Sequence, residues 1–219
     1  MKNSKKIMAL LIALTLVVGT VIGGTVAWLV SKPEAVQNTF KVGELNITLD
    51  EAKTDRYGVV DQTAEKRVLE NTYTMLPGHG YTKDPIVHLA ANSEACYVFI
   101  DVDNQLKGAI AEGEYKLHLD TAETPVRKGI YEQIADNGWT ALEVTHKGVK
   151  KTVYYQAFDT AAARAGQELP VFGYFHVSES MDEAGLKAYD GKTISITAYA
   201  CQQDGFKNVT AAWNANFAK

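Results

Sequence analysis

The sequence has little of what common active sites are assembled from. Only two cysteines, Cys96 and Cys201, occur in 219 residues, which excludes a structural zinc held by four thiolates. The five histidines, His79, His88, His118, His146 and His176, are scattered. None has the His-x-x-x-His or His-Glu-x-x-His spacing that turns two imidazoles toward one metal from a helix face. Gly-x-Ser-x-Gly elbows, glycine-rich phosphate loops and EF-hand acidic ladders are absent as well. Lysine and arginine number 22 against 26 acidic residues, and no long basic run is present to release counterions from phosphates, so nucleic acid is set aside as a partner. Five prolines and 17 glycines exclude collagen-like and proline-rich disordered chains. The acidic groups Asp101/Asp103 and Asp182/Glu183 suit calcium, and solvated charge accounts for them equally well. No residue set marks a catalytic, cofactor or metal site, so the chain reads as a non-enzyme.

What is present begins at the N-terminus, where Lys2, Lys5 and Lys6 precede an uncharged run from Ile7 to Val30 that is long enough to cross a bilayer. A retained signal anchor and a cleaved signal peptide both start this way. The apolar centre ends early, at Val18, and Gly19, Gly23, Gly24, Thr25 and Ala27 follow. Small residues before the cut are what a signal peptidase requires. The pattern predicts a signal helix over residues 1–27, cleaved between Ala27 and Trp28, and an exported product that is more acidic once the three lysines are gone.

The rest of the chain alternates with period 2, the mark of strands with one buried face. Leu45, Ile47 and Leu49 oppose Asn46, Thr48 and Asp50, after a short Phe40–Val42 run. Cys96, Val98, Ile100 and Val102 oppose Tyr97, Phe99, Asp101 and Asp103. Residues 115–119, 152–155, 170–177 and 193–199 are further strands, with turns at Pro77–Gly80, Asn137–Gly138, Lys147–Gly148 and Asp190–Gly191. Helical signal is short and local: Ser180–Tyr189 with Ser180 able to cap, Asp159–Ala165, and Val209–Trp213. With no repeat and no βαβ rhythm, the fold class is all-β, an antiparallel sandwich with a few short helices.

An exported chain with two cysteines permits one disulfide. Alternation opposes it, because Cys96 shares a face with Val98 and Ile100, whereas Cys201 is in phase with Ser195, Thr197 and Tyr199. In a single sheet the two sulfurs point to opposite sides unless a bulge resets the phase.

The leader ending Gly23-Gly24-Thr25-Val26-Ala27-Trp28, followed by Asn38-Thr39-Phe40-Lys41-Val42-Gly43-Glu44-Leu45-Asn46-Ile47-Thr48-Leu49-Asp50-Glu51, resembles the TasA/camelysin group of exported Gram-positive biofilm-matrix proteins. So do Leu76-Pro77-Gly78 with Lys83-Asp84-Pro85-Ile86-Val87, the aromatic strand Ala95–Val102, and Ile194–Gln202 ahead of Ala212-Trp213. The resemblance implies a leader removed by a dedicated signal peptidase and a jelly-roll domain over residues 41–219. It also implies a protein of the extracellular matrix or cell surface that self-associates into fibres, with a minor matrix or anchoring protein as a further partner. Residues 28–40 become a candidate donor strand, with Trp28, Leu29, Val30, Val36 and Phe40 as anchors, or else a disordered tether. Pro33 cannot donate to a ladder and constrains the donated register. The camelysin branch also carries a metallopeptidase label, which raises a site assembled from distant residues such as His79, His88 and Asp84. A signal-anchored surface binding module is the third expectation.

Overall fold

Alternation of apolar side chains produces the architecture, and a C-terminal helix decides which faces are buried. The structure, a computed structural model, describes residues 44–159 and 166–218. The predicted signal helix, the arm over 28–40, the Phe40–Val42 run and the alanine-rich stretch after Asp159 lie outside the described residues. Strands are β1 (Ile47–Asp50), β2 (Gly80–Thr82), β3 (Ile86–Leu89), β4 (Cys96–Asn104), β5 (Glu114–Tyr115), β6 (Arg127–Lys128), β7 (Thr140–His146), β8 (Val149–Phe158), β9 (Gln167–Pro170), β10 (Tyr174–His176) and β11 (Ile194–Gln202). Helices are α1 (Ile130–Asp136), α2 (Glu183–Lys187) and α3 (Val209–Asn216).

All strand pairs are antiparallel. The largest sheet has the order β11-β4-β8-β7, a second has β1-β3-β9, and β10-β2 and β5-β6 are two-stranded. On one side of the large sheet, Cys96, Val98, Ile100 and Ile194 join a core with Val87 and Leu89 of β3, Leu169 of β9, Phe175 of β10, and Ile130 and Ile134 of α1. Leu49, Val87 and Leu169 form one cross-strand row into that core, since Leu49 pairs with Val87 and Val87 with Leu169. Tyr97, Phe99, Val153, Tyr155, Tyr199 and Cys201 point the other way, where α3 covers them with Ala212, Trp213 and Phe217. Asn208 caps α3 by accepting from the Ala211 N–H at 2.9 Å.

Turn chemistry explains which sequence expectations held locally and which did not. Lys147 (φ 49°) and Gly148 (φ 77°) both adopt the left-handed region, which matches the twist of the β7–β8 hairpin they close. Asn137–Gly138 is a turn, as expected, between a helix and a strand. It ends α1, with Gly138 at φ 83° and its N–H on the Ala135 carbonyl. The strand expected over 115–119 stops at Tyr115, because the Asp120 carboxylate accepts the Leu117 N–H at 2.8 Å and turns the chain. The strand expected over 170–177 breaks at Val171–Gly173. There, side chains replace ladder partners: Trp139 Nε1 donates to the Pro170 carbonyl, Asn137 Nδ2 to the Val171 carbonyl, and Gln133 Oε1 accepts from Gly173 N–H. Ser180 does not cap α2. Asp182 does, accepting from Gly185 N–H at 2.7 Å.

Trp213 is fully buried and meets Phe99, Tyr199 and Phe217 with ring centroids 5.1, 5.5 and 5.2 Å apart. Trp213→Ala leaves a large cavity under the sheet and is expected to lower stability by about 3–5 kcal/mol. Urea unfolding checks this as a fall in midpoint, and Leu119→Ala, an exposed position, supplies the unaffected control.

Candidate functional site

Among the described residues, sheet edges are where bonding capacity is left unused. In an antiparallel ladder, alternate residues turn both backbone groups toward one neighbour and the residues between turn theirs away. Ala90 N–H bonds the Asn46 carbonyl at 3.0 Å, which places residues 46, 48 and 50 on the β3 side. The N–H and C=O of Ile47 and Leu49 therefore face away from β3. Gln203 N–H bonds Ala95 O, and Gln105 N–H bonds Thr193 O, both at 2.9 Å. These bonds put the odd residues of β11 on the β4 side and turn Ile194, Ile196, Ala198, Ala200 and Gln202 outward.

Both open edges are next to each other. Cα atoms of β1 and β11 approach within 8 Å, yet among the described residues no ladder joins the two strands. Ile47, Leu49, Ile196, Ala198 and Ala200 line this slot as partly buried side chains resting on the main core. The nine residues of β11, Ile-Ser-Ile-Thr-Ala-Tyr-Ala-Cys-Gln, contain no proline and no charge, the usual protections of an edge strand. Two other edges are partly guarded. β9 ends in Pro170, and the far end of β7 is covered by the C-terminal segment, where Lys147 N–H bonds Ala218 O and His146 Nδ1 lies 2.6 Å from Phe217 O.

A fastened loop closes the slot where β1 ends. Glu51 keeps the outward phase of Ile47 and Leu49, and its N–H and C=O exchange bonds of 2.8 and 2.7 Å with Val68. Arg67 next door clamps the loop, with Nε on Asp50 Oδ1 at 2.5 Å, Nη1 on Asp84 Oδ2 at 3.1 Å and Nη2 on the Asp84 carbonyl at 2.8 Å. Glu51 is 3% exposed, and its carboxylate holds Lys83 Nζ at 2.6 Å and Asn71 Nδ2 at 2.9 Å. Burial opposes ionisation of Asp50, but bonds from His88 (3.0 Å) and Arg67 more than offset it and hold the carboxyl below its ordinary value.

The structure separates the other residues singled out in the sequence. His79 Nε2 lies 3.0 Å from the Tyr57 carbonyl, His88 is on Asp50, and Asp84 accepts from Arg67 and from Ala52 N–H. Among the described residues no three or more His, Cys, Asp or Glu side chains converge as a metal site. His176 is bonded to Tyr115 Oη at 2.8 Å and packs on Gly80, where an added Cβ would lie 2.5 Å from its Nε2. Burial, reinforced by Arg127, pushes its pKa down. Exposed His118 pairs with Glu179 beside an open groove of about 540 Å³ that also includes Asp120 and Arg127. The acidic groups have structural partners: Asp101 with Lys151, Asp103 with Gln105, and Asp182 as a helix cap. The cleavage pair Ala27 and Trp28, and the arm residues Leu29, Val30, Val36 and Phe40, lie outside the described residues. Comparison with known protein families, characterised proteins and solved structures finds no match to this chain.

Cys96 and Cys201 sit on adjacent strands but on opposite faces of the large sheet, and both are free and buried. Burial pushes each thiol up to about 11. Neither is expected to react with Ellman's reagent until the protein unfolds, and both then titrate. Because their folded pKa values are raised, the stability they contribute is present below the ordinary thiol value of 9.0 and is lost as pH rises toward 11. Asp50 has the opposite sign. Its contribution is present above 3.8 and is lost as pH falls through the lower folded value. Asp50→Asn is therefore expected to destabilise the protein at neutral pH, with a gap to wild type that narrows in acid, as read by urea midpoints across a pH series.

Proposed function

We propose that this chain is a secreted structural protein that builds extracellular fibres, each subunit donating residues 28–40 as a strand to the open β1/β11 slot of the next, on a jelly-roll body. The reading rests on one observation: among the described residues, β1 and β11 come within 8 Å of each other, each with outward backbone groups that no ladder uses and with half-buried apolar side chains beside the core. A strand added along β11 satisfies the outward N–H and C=O groups of that strand while alternate side chains cover Ile196 and Ala198. Extended at about 3.3 Å per residue, residues 28–40 are long enough to run the whole of β11. Trp28, Leu29, Val30, Val36 and Phe40 supply the apolar anchors, and Pro33 fits wherever its missing N–H would have pointed away from the ladder. Head-to-tail contacts of this kind extend into filaments where the rotation between subunits does not close a ring. Export through a signal peptidase and residence in the matrix or on the cell surface follow from the same reading.

Electron microscopy of protein beginning at Trp28, beside protein beginning at Lys41, tests the proposal. Filaments are expected only from the longer form. Ala198→Pro in the longer form removes an outward N–H that the β11–β4 ladder does not use, so circular dichroism should be unchanged while filament mass falls at least about tenfold. Equal polymerisation of the two lengths, or filaments undiminished by Ala198→Pro, would overturn it.

A further inference from the structure

We propose that Lys83 and Asn71 are joined by an intramolecular isopeptide bond, formed with Glu51 as the acid–base catalyst. One buried carboxylate touches both reacting nitrogens: Oε2 is 2.6 Å from Lys83 Nζ, and Oε1 accepts from Asn71 Nδ2 at 2.9 Å. The pair is sequestered, with side-chain exposures of 13% for Lys83 and 4% for Glu51. A simple surface ion pair has neither the burial nor the third partner. The Asn71 carboxamide is also locked, its Nδ2 donating to the Ala52 carbonyl at 2.8 Å and its Oδ1 accepting from the Thr54 N–H at 2.9 Å. That N–H points at the oxygen on which negative charge would develop if the carbonyl carbon were attacked. Thr54 adds a buried hydroxyl with no hydrogen-bond partner. Tyr73, packed edge-on against Tyr81 and Phe175, bonds the Thr82 carbonyl and so walls the residue that precedes Lys83.

The chemistry balances without an oxidant or a cofactor. Glu51 takes a proton from the Lys83 ammonium, and the freed amine adds to Asn71 Cγ. Glu51 returns the proton to Nδ2, and the Cγ–Nδ2 bond breaks with the electron pair leaving on nitrogen as ammonia. The second amine proton goes to that ammonia, so ammonium departs, the Glu51 carboxylate is regenerated, and a secondary amide remains between Nζ and Cγ. The bond fastens the long loop after β1 to the β2–β3 connection. It does not depend on whether the chain polymerises.

Tryptic digestion and tandem mass spectrometry of the purified, folded chain test the bond. Expected is a branched species joining the Asn71 and Lys83 peptides, lighter than their sum by one ammonia, with no cleavage after Lys83. Glu51→Gln keeps hydrogen-bonding capacity but cannot carry the proton, and is expected to give separate peptides. Should that variant fail to fold, Lys83→Arg retains the cation without the attacking amine and is expected to give full mass. Separate wild-type peptides with Asn71 intact would overturn the proposal, as would Asn71 hydrolysed to aspartate beside a free Lys83. Ammonia loss that persists in Lys83→Arg would overturn it too, by placing the loss elsewhere.

Discussion

Trp213 closes the outer face of a sheet whose inner face is already committed to the main core. That double commitment is the constraint on which the rest depends. A strand with one wet face can slip in register at little cost, whereas β4 would carry Phe99 out from under Trp213 and bring Tyr97 or Asp101 into the Val98–Ile100 layer if it moved by one residue. The nine-residue β11–β4 register is fixed by both layers at once. The same register leaves Cys96 and Cys201 back to back across the sheet and turns the even-numbered backbone groups of β11 outward.

How much of this is legible in the sequence follows from what alternation can report. Period 2 reveals β4 and β11 because their side chains sort into two contrasting sets, and Lys147-Gly148 reveals a turn because Gly148 tolerates positive φ. Alternation says nothing about what covers the second face, so Tyr97 and Phe99 read as a solvated side until α3 is placed over them. Short strands such as β2 and β3 give too few alternations to register, and β7, with Thr140, Glu143 and Thr145 among its residues, gives a weaker signal than its more apolar partner β8. Asn137-Gly138 is ambiguous in principle, since the same dipeptide closes a hairpin or ends a helix, and the decision belongs to Ile130 and Ile134 packing into the core.

The candidate edges were legible only in outline. An arm before the first strand can be read from the chain, but which edge is open depends on strand order and ladder phase, and both are tertiary facts. The Glu51, Asn71 and Lys83 cluster left no local signal at all. Its members lie 20 and 32 positions from Glu51, and they meet because the bridge to Val68 and the Arg67 clamp fold the loop back on β1. Only the acidic and amide character of the separate residues was visible.

Position along β1 links these features. Ile47, Leu49 and Glu51 share one outward phase, so a strand running along that edge would meet all three in turn. Val68 already occupies the place opposite Glu51, and the segment behind it has Leu69, 86% exposed, ready to extend the pairing if the loop slid forward. Arg67 on Asp50 and Asp84, and Asn71 on Glu51, prevent that slide by fixing the segment on both sides of Val68. On the donor-strand proposal, this edge must be protected first from the chain's own neighbouring loop, because the local segment competes at a far higher effective concentration than any separate molecule. The buried Glu51 contacts and the open Ile47–Leu49 edge are thus two consequences of one arrangement: the loop is bound tightly at the end of β1 so that it does not pair along its length.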